Sequence, residues 1–356
     1  MKVLFLERVV LQYSVPFYNA MCEHMDVTVA YYMQDKTNNE CKFKKIKLES
    51  NILGPFHIQK GVRKLAKQYD VVIMTSNLHA VSYVLLPFRK HNYKLLTWGI
   101  GFRASHTHPY VVDRPHNLLD KLTLDLMAKC DANVFYMPEA KLFWKNTSLD
   151  MRKVFIAPNT VEVANVEFVP ERKKNIIFVG TLYKGKGVDC LLKCVKEAMD
   201  NVHKDLHVDI IGDGPCRKEL EDLCGLLELN TRVTFHGAIY DSLKLSEFYS
   251  NAILCVSPYQ AGLTVCTSMG NGVPFVTRKD AITGGELYHI TDGENGIIYN
   301  KDEELITIIM DVMTNPSKFV EMGVKAKEYY ENHATIEHMV KGFLDAIDFA
   351  YSEQQG

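Results

Sequence analysis

Apolar segments rich in β-branched residues alternate along this chain with segments whose apolar residues recur at helical spacing. In the first half the apolar segments are KVLFLERVV near the N-terminus, VTVAYYM at 27–33, DVVIMTS at 70–76 and YKLLTWGIGF at 93–102. Consecutive parallel strands need a crossover connection, usually a helix, so this alternation is typical of a parallel sheet covered by helices. The pattern predicts a doubly wound α/β fold.

The alternation stops at residues 157–174, which are turn-prone and charged, and it restarts at NIIFVGTL. We therefore expect two Rossmann-like domains, residues 1–165 and 166–335. A C-terminal helix at 336–356 is expected to return to the first domain. Ligands of parallel sheets bind at the carboxyl ends of the strands, so the two domains are expected to face each other across a ligand-binding cleft.

Composition excludes several classes of protein. The chain has 356 residues, of which 47% are hydrophobic and 24% are charged, as in ordinary globular proteins. No segment has about 18 consecutive apolar residues, and Glu7 and Arg8 interrupt the first apolar run, so neither a membrane span nor a secretory signal is predicted. The nine cysteines form no C-x-x-C pair, which favours reduced thiols over disulfides or zinc. These features predict a cytoplasmic protein.

Charge is distributed unevenly between the two halves. Residues 1–165 contain 22 Lys and Arg against 14 Asp and Glu, whereas the remainder contains 19 against 29. Either the two surfaces differ by chance, or the two domains meet different partners. A basic first domain is compatible with an anionic membrane face. We expect weak peripheral contact with the inner face of the membrane through residues 60–67 together with Lys42, Lys44, Lys45 and Lys47. We expect no nucleic-acid partner.

A glycine turn followed by lysines opens the second half, in the segment FVGTLYKGKGVD at 178–189. Gly180 allows a tight exit from the strand, and Lys186 stands where the next helix begins. Backbone N–H groups at a helix start already favour an anion, and a lysine adds a compact cation suited to a phosphate. The alternative is a solvated turn with surface lysines. IIGDGP at 210–215 lacks the G-x-G-x-x-G pattern, which disfavours a nicotinamide dehydrogenase.

The segment SPYQAGLTVCTSMGNGVPFV at 257–276 carries the strongest signal for a ligand site. A strand ends at Ser257, a loop with Gly262 follows, and a short helix opens near Thr264. A helix start at the carboxyl edge of a parallel sheet is suited to a diphosphate. GGELYHITDGENG at 284–296 comes next and places Glu286 ahead of an Asp-Gly turn.

The order of these segments is similar to that of glycosyltransferase family 4, whose members are retaining GT-B enzymes. The resemblance is good over residues 175–300. It is looser in the first half, where YSVPFYNA, WGIGF and APNTV carry it. It implies an acceptor-binding first domain and a second domain that binds a UDP- or GDP-sugar, with no obligatory metal or cofactor. It also implies catalytic roles for Lys186 and Glu286 and donor contacts at Gly180, Thr181, Tyr259, Gly262, Leu263, Thr264 and Thr267.

The chain departs from the family pattern at several positions. Thr181 replaces an arginine, Tyr259 and Thr267 replace two glutamates eight positions apart, and Ile100 stands where the family usually has a histidine. A subset of the family with a Pro-x-x-x-Gly-Leu loop also lacks the glutamates, and this chain is similar to that subset. In the family the acceptor attacks on the face from which the diphosphate leaves, so no carboxylate nucleophile is needed. The main requirement is stabilisation of charge on the leaving phosphate.

On the acceptor side we expect Arg103, which follows the WGIG turn, and Glu7 and Arg8, which follow the first strand. Packing or a surface ion pair is an equally good interpretation of Glu7 and Arg8. A metal centre is a weaker hypothesis, because its candidate ligands lack zinc spacing; they are His106, His108, Asp113 and His116.

The sequence thus predicts a hexosyltransferase that builds a cell-surface polysaccharide, such as capsule or O-antigen, on a saccharide or lipid-diphosphate-linked saccharide acceptor. One rival is a non-catalytic GT-B-like partner subunit, suggested by the missing glutamates. A second rival is a GT-B epimerase acting on a nucleotide sugar, although its usual acids and histidine are not recognisable here. Donor-specific release of a nucleoside diphosphate discriminates among the three.

Overall fold

The structure is a computed structural model that describes residues 1–38, 40–101, 117–164, 167 and 169–352. The described residues form two compact units. The first unit takes in the described residues up to Val161 together with the C-terminal helix, and the second runs from Glu162 to Ala334. Each unit is organised around a parallel sheet.

The sheet of the first unit has seven strands, all paired in parallel. In spatial order they are Val154–Ile156, Ala132–Phe135, Lys94–Gly99, Val71–Thr75, Lys2–Glu7, Asp26–Tyr31 and Lys44–Lys47. The first strand lies in the interior of the sheet and the chain proceeds in opposite directions on its two sides, which makes its carboxyl end a topological switch point. The helices of this unit are Val15–Met21, Val62–Ala66, Val81–Val84, Leu118–Ala128, Ala140–Trp144 and Ile336–Ser352.

The sheet of the second unit has six parallel strands. In spatial order they are Val233–Gly237, Val208–Ile211, Asn175–Val179, Ala252–Val256, Phe275–Arg278 and Gly296–Tyr299. This is the 3-2-1-4-5-6 order of Rossmann folds. The helices are Val188–Val202, Arg217–Leu226, Ser242–Asn251, Thr264–Gly270, Asp302–Thr314 and Pro316–His333. The doubly wound α/β architecture is therefore as the sequence predicts.

Burial explains why these segments adopt their structures. In the strand Lys2–Glu7, the neighbouring residues Leu4 and Phe5 point to opposite faces of the sheet, and both are fully buried. This is expected for a parallel strand that is covered on both faces. In the helix Val188–Val202 the buried residues recur at helical spacing. Outside this buried face, Lys193 forms an ion pair with Asp189 and Lys196 forms one with Asp200, in each case four residues apart. The core therefore forms from continuous apolar strands and one apolar face of each helix.

Three local features complete the description. Residues 81–88 form the helix Val81–Val84 and a 3-10 turn at Leu86–Phe88, because Pro87 cannot continue an α-helix. The helical tail divides at Thr335, whose hydroxyl accepts a 3.4 Å hydrogen bond from the backbone N–H of His338 and so starts a new helix. The sequence also missed an antiparallel hairpin, Ser50–Leu53 with Phe56–Gln59.

The C-terminal helix completes the core of the first unit. The Phe343 ring contacts Phe5, Phe17 and Trp98 at centroid distances of 5.7, 5.0 and 5.2 Å. Gly342 brings this helix so close to the strand Val154–Ile156 that a Cβ there would overlap the carbonyl oxygen of Ile156. The last helix is thus an integral part of this unit rather than an appendage.

Among the described residues, no helix combines the length and the apolar character that crossing a bilayer requires. All nine cysteines are free thiols.

We predict that Gly342→Ala destabilises the protein although alanine is the better helix former. Helix propensity favours alanine by about 1 kcal/mol. Overpacking against a backbone carbonyl costs about 1–3 kcal/mol, and the atom to be displaced is not a flexible side chain, so the steric cost dominates. Urea unfolding should show a net loss of up to about 2 kcal/mol. In the matched control Gly225→Ala, the nearest atom is 3.9 Å away, and stability should rise by about 0.5–1 kcal/mol. Equal effects of the two substitutions would contradict this packing.

His289 makes the stability of the second unit depend on pH. Its imidazole is 1% exposed and its Nδ1 lies 3.2 Å from the Tyr329 hydroxyl. Burial, together with nearby His333, lowers the pKa of His289 from 6.5 to about 4. Between these values the unfolded chain binds a proton that the folded chain excludes, so stability is complete above pH 6.5 and is lost as the pH falls toward 4.

We therefore predict that lowering the pH from about 7 to about 5 removes about 2 kcal/mol of stability through His289. His289→Gln, which cannot be protonated, should lack this part of the pH dependence. The measurement is urea unfolding of both proteins at both pH values, and the difference between the two proteins isolates His289 from the carboxylates. Identical pH dependence in wild type and variant would show that His289 is not buried as described.

Candidate active site

The switch point of the second unit brings together the two segments in which the sequence predicts donor binding. The strand Asn175–Val179 lies between Val208–Ile211 and Ala252–Val256. The loop that follows this strand at Gly180 therefore begins beside the loop that follows the strand Ala252–Val256 at Ser257. The Thr264 hydroxyl donates a 3.4 Å hydrogen bond to the Val179 carbonyl, which ties the two segments together. In doubly wound sheets this is where ligands bind.

Two glycines, Gly180 and Gly212, lie side by side at the carboxyl ends of their strands, and their backbone is here called the floor of the site. Gly180 and Gly212 both have φ of +151°, in a region that side chains disfavour. A Cβ on Gly212 would overlap the Gly180 carbonyl oxygen, and the Gly180 N–H donates to the Ile211 carbonyl over 2.9 Å. The first two strands can therefore converge at their carboxyl ends, where Gly180 is half-buried and Gly212 is buried, and backbone rather than side chain lines this point.

Lys186 places an ammonium group directly over that floor. It ends the 3-10 turn Lys184–Lys186, just before the helix Val188–Val202. Its Nζ lies 3.2 Å from the position that a Cβ on Gly180 would occupy. Burial lowers the pKa of Lys186, while the thiol of Cys255 and the carboxylate of Glu286 act in the opposite direction. Lys184, in contrast, is exposed. The result is a partly desolvated cation at the carboxyl edge of the sheet.

Glu286 is a buried carboxylate whose position is fixed by its own loop. Its side chain is part of a residue that is 4% exposed. Oε2 accepts hydrogen bonds from the backbone N–H of Gly284 at 2.9 Å and from the Thr283 hydroxyl at 3.5 Å. Its negative charge favours the protonated form of Lys186. The two residues that the sequence nominates as catalytic are thus electrostatically coupled.

Tyr259 fastens its loop to the rest of the second unit. Its ring packs against Gly187 and lies 4.5 Å below the Arg278 guanidinium. Its hydroxyl donates a 3.2 Å hydrogen bond to Asp302 at the start of the helix Asp302–Thr314. The Tyr259 side chain, which the sequence predicts at a donor contact, is therefore engaged within the protein.

The remaining residues that the sequence predicts to contact the donor are Thr267, Gly262, Leu263, Thr264 and Thr181. Thr267 donates its hydroxyl to the Leu263 carbonyl over 3.2 Å, within its own helix. Gly262, Leu263 and Thr264 are half-buried residues at the start of the helix Thr264–Gly270, where the first backbone N–H groups have no acceptor inside the helix. Thr181 is exposed beside Gly180. The groups that this loop offers to a ligand are mainly backbone amides.

Glu7 lies at the corresponding switch point of the first unit, at the end of the first strand. Its carboxylate accepts a 3.2 Å hydrogen bond from the Tyr18 hydroxyl, and the Tyr83 hydroxyl donates to its carbonyl over 3.1 Å. Burial raises the pKa of Glu7 to about 7, against the opposing effect of the Tyr18 bond. The Trp98 indole N–H nearby in the same core is buried and has no partner among the described residues. Sequence reasoning identified Glu7 but not the aromatic residues around it.

Of the other predicted groups, the structure describes Arg8 and leaves out five residues. Arg8 is exposed and its Nε lies 2.9 Å from the Met33 sulfur. Arg103 lies outside the described residues, as do the four proposed metal ligands, His106, His108, Asp113 and His116. Within the part of the chain that the structure describes, no group of three or more His, Cys, Asp or Glu side chains is arranged to hold a metal.

Comparison with known proteins connects this geometry to a family. Residues 161–329 match the family model described as glycosyl transferases group 1. An uncharacterized glycosyltransferase of Haemophilus influenzae is 26% identical over 81% of this chain and 80% of its own length. The alpha-monoglucosyldiacylglycerol synthase of Acholeplasma laidlawii is 24% identical over 71% of this chain and 63% of its own.

Solved structures share the fold over nearly the whole chain. Anabaena HepE in complex with UDP covers 98% of this chain and 100% of its own, with a TM-score of 0.73 and 14% identity. The chain spans only 55% of the Staphylococcus aureus TarM chain, with a TM-score of 0.59. The GT-B fold predicted from the sequence is confirmed by these structures. The family-model match over residues 161–329 and the curated relatives make this chain similar to glycosyltransferases, enzymes of class EC 2.4.

Proposed function

We propose that this protein transfers a hexose, with retention of anomeric configuration, from a UDP- or GDP-sugar to a saccharide or lipid-diphosphate-linked saccharide of a cell-surface polysaccharide. The observation that carries the proposal is the Lys186 ammonium 3.2 Å from the Cβ position of Gly180, at the switch point of the second unit. A partly desolvated cation above half-buried glycine backbone is suited to a diphosphate. UDP bound to the HepE structure supports a nucleotide donor.

The proposed reaction needs charge stabilisation more than covalent chemistry from the protein. The acceptor oxygen forms a bond to the anomeric carbon on the face from which the diphosphate leaves. The bond from that carbon to the diphosphate oxygen breaks, and the hydroxyl proton passes to the leaving phosphate. Lys186 and the amides near Thr264 stabilise the negative charge that develops there, and Glu286 holds Lys186 in its charged form.

The acceptor is assigned to the first unit. Glu7 stands at the switch point of that sheet, where a hydroxyl-bearing ligand of a parallel fold is expected. The relative from Acholeplasma is named for a glucosylated diacylglycerol, which supports an acceptor carried by a lipid. We place the enzyme at the cytoplasmic face of the cell membrane, in peripheral contact with it.

A screen of nucleotide sugars tests the proposed function. The protein is incubated with UDP- and GDP-linked hexoses, and release of UDP or GDP is measured with and without saccharide acceptors. We expect release from one donor family, accelerated by acceptor. Product anomers analysed by NMR should keep the configuration of the donor. Silence with every donor, or an inverted product, would contradict the proposal.

We predict that Lys186→Met lowers kcat by about 10²–10³, equivalent to about 2.7–4 kcal/mol of transition-state stabilisation. Thr181 supplies no charge where the family usually has an arginine, so Lys186 carries a larger share of the stabilisation. The fold should survive, since a half-buried lysine at a helix start contributes little to stability. Lys184→Met, two residues earlier and exposed, is the matched control and should retain nearly full turnover. A folded Lys186→Met protein with wild-type kcat would remove Lys186 from the mechanism.

We predict that Glu7→Gln raises the KM for the acceptor about tenfold and leaves the KM for the donor unchanged. A carboxylate accepts a hydrogen bond from an acceptor hydroxyl more strongly than an amide does. Because the pKa of Glu7 is about 7, kcat/KM for the acceptor should rise as the pH increases through 7 in the wild type and should not do so in the variant. Parallel pH profiles of the two proteins would contradict an acceptor role for Glu7.

A further inference from the structure

The first unit contains a cavity lined by four cationic side chains that the proposed chemistry does not use. Its volume is about 580 Å³. The cationic residues that line it are Arg63, Lys64, Lys67 and Arg89. All four are exposed, and among the described residues none of them forms an ion pair with an acidic group. Within the part of the chain that the structure describes, no Asp or Glu lines the cavity. Its wall therefore offers donors and positive charge to an anionic ligand.

A buried amide in the cavity wall also lacks a partner. Gln59 is 3% exposed and lines the cavity. Its Oε1 accepts a hydrogen bond from the Ser82 N–H at 3.2 Å, and its carbonyl accepts one from the Ser82 hydroxyl at 2.8 Å. These bonds fix the orientation of the side chain, and they leave Nε2 with no partner among the described residues. An unpaired buried donor is costly unless a ligand or water satisfies it.

An apolar hairpin leads directly into this cavity. Its strands Ser50–Leu53 and Phe56–Gln59 carry no Asp, Glu, Lys or Arg, and Gln59 at its end is part of the cavity wall. The exposed fractions of its apolar side chains are large, at 70% for Ile52, 69% for Leu53, 42% for Phe56 and 40% for Ile58. Natural proteins normally place charges on exposed strands of this kind to prevent association. Their absence indicates that the hairpin has an apolar environment of its own.

Two features thus adjoin each other, an uncharged apolar hairpin and a cationic cavity with a free amide donor. A soluble anion would satisfy the cavity but not the hairpin. A bilayer interface satisfies both, because anionic head groups attract Lys and Arg and the acyl boundary accepts exposed apolar side chains. We propose that the cavity binds the phosphate of an anionic phospholipid while the hairpin enters the bilayer interface. This inference names a site for the membrane contact of the proposed function, and it rests on that function only in so far as a lipid-linked acceptor brings the enzyme to the membrane.

The second basic segment of the first unit provides a control. Lys44–Lys47 is the edge strand of the seven-stranded sheet, where lysines protect an unpaired edge. Lys45 is paired with Asp35 at 2.7 Å, and Lys42 lies 3.9 Å from Glu23. We therefore assign membrane contact to the cavity and not to these lysines.

The experiment is co-sedimentation of the full-length protein with phosphatidylcholine vesicles, with and without phosphatidylglycerol. Wild type should bind the anionic vesicles far better, and the binding should weaken as salt increases. Each lost cation at such a surface weakens binding about fivefold, so Arg63→Gln/Lys64→Gln/Lys67→Gln should weaken it about a hundredfold. The control Lys42→Gln/Lys44→Gln/Lys47→Gln removes the same charge and should bind within a few-fold of wild type.

The hairpin is tested separately. Leu53→Ser/Phe56→Ser should reduce vesicle binding at least about tenfold. Leu226→Ser/Leu243→Ser, which alters side chains that are 82% and 62% exposed in the second unit, should leave it unchanged. Glycerol 3-phosphate should not displace the protein from anionic vesicles. Displacement would mean that the cavity takes a soluble phosphate, and equal losses in the two charge variants would mean a diffuse charge effect; either result overturns the proposal.

Release of nucleoside diphosphate is measured on the same proteins in the absence of vesicles. The hairpin and cavity variants should release it as wild type does, because neither region belongs to the donor site. A failed donor screen with intact, cavity-dependent vesicle binding would overturn the proposed function alone. A successful screen with no vesicle binding would overturn only the membrane site.

Discussion

The donor edge of the second unit depends on the close approach of two backbones. Gly212 can lie against the Gly180 carbonyl only because Gly212 has no side chain. Lys186 occupies the space beside Gly180 where a side chain would otherwise lie. A larger residue at Gly180 would collide with the Lys186 side chain. The position of the ammonium group is thus a consequence of backbone geometry.

The charge balance of this site follows from what surrounds Lys186. The hydroxyl groups of Tyr259 and Thr267 donate to Asp302 and to the Leu263 carbonyl. Neither side chain adds a negative charge near the proposed diphosphate. Glu286 is a carboxylate that acts on Lys186, and its loop holds it in place.

Local patterns in the sequence were sufficient for the architecture. Alternating strand and helix periodicity predicted both parallel sheets. Glycine and lysine spacing indicated Gly180 and Lys186 for the donor site, and that assignment stays a prediction. Contacts between residues distant in sequence were beyond such reasoning. Tyr83 reaches the Glu7 carbonyl across 76 positions, and Gln59 becomes part of a cavity only after the hairpin packs near Ser82.

We propose that the donor diphosphate binds above Gly180 and against Lys186, and a crystal structure of the protein with UDP tests this placement. We expect oxygens of the terminal phosphate within hydrogen-bond distance of the Lys186 Nζ, with the diphosphate over the backbone of Gly180. A diphosphate bound elsewhere, with the Lys186 Nζ directed away from it, would show that Lys186 does not bind the donor.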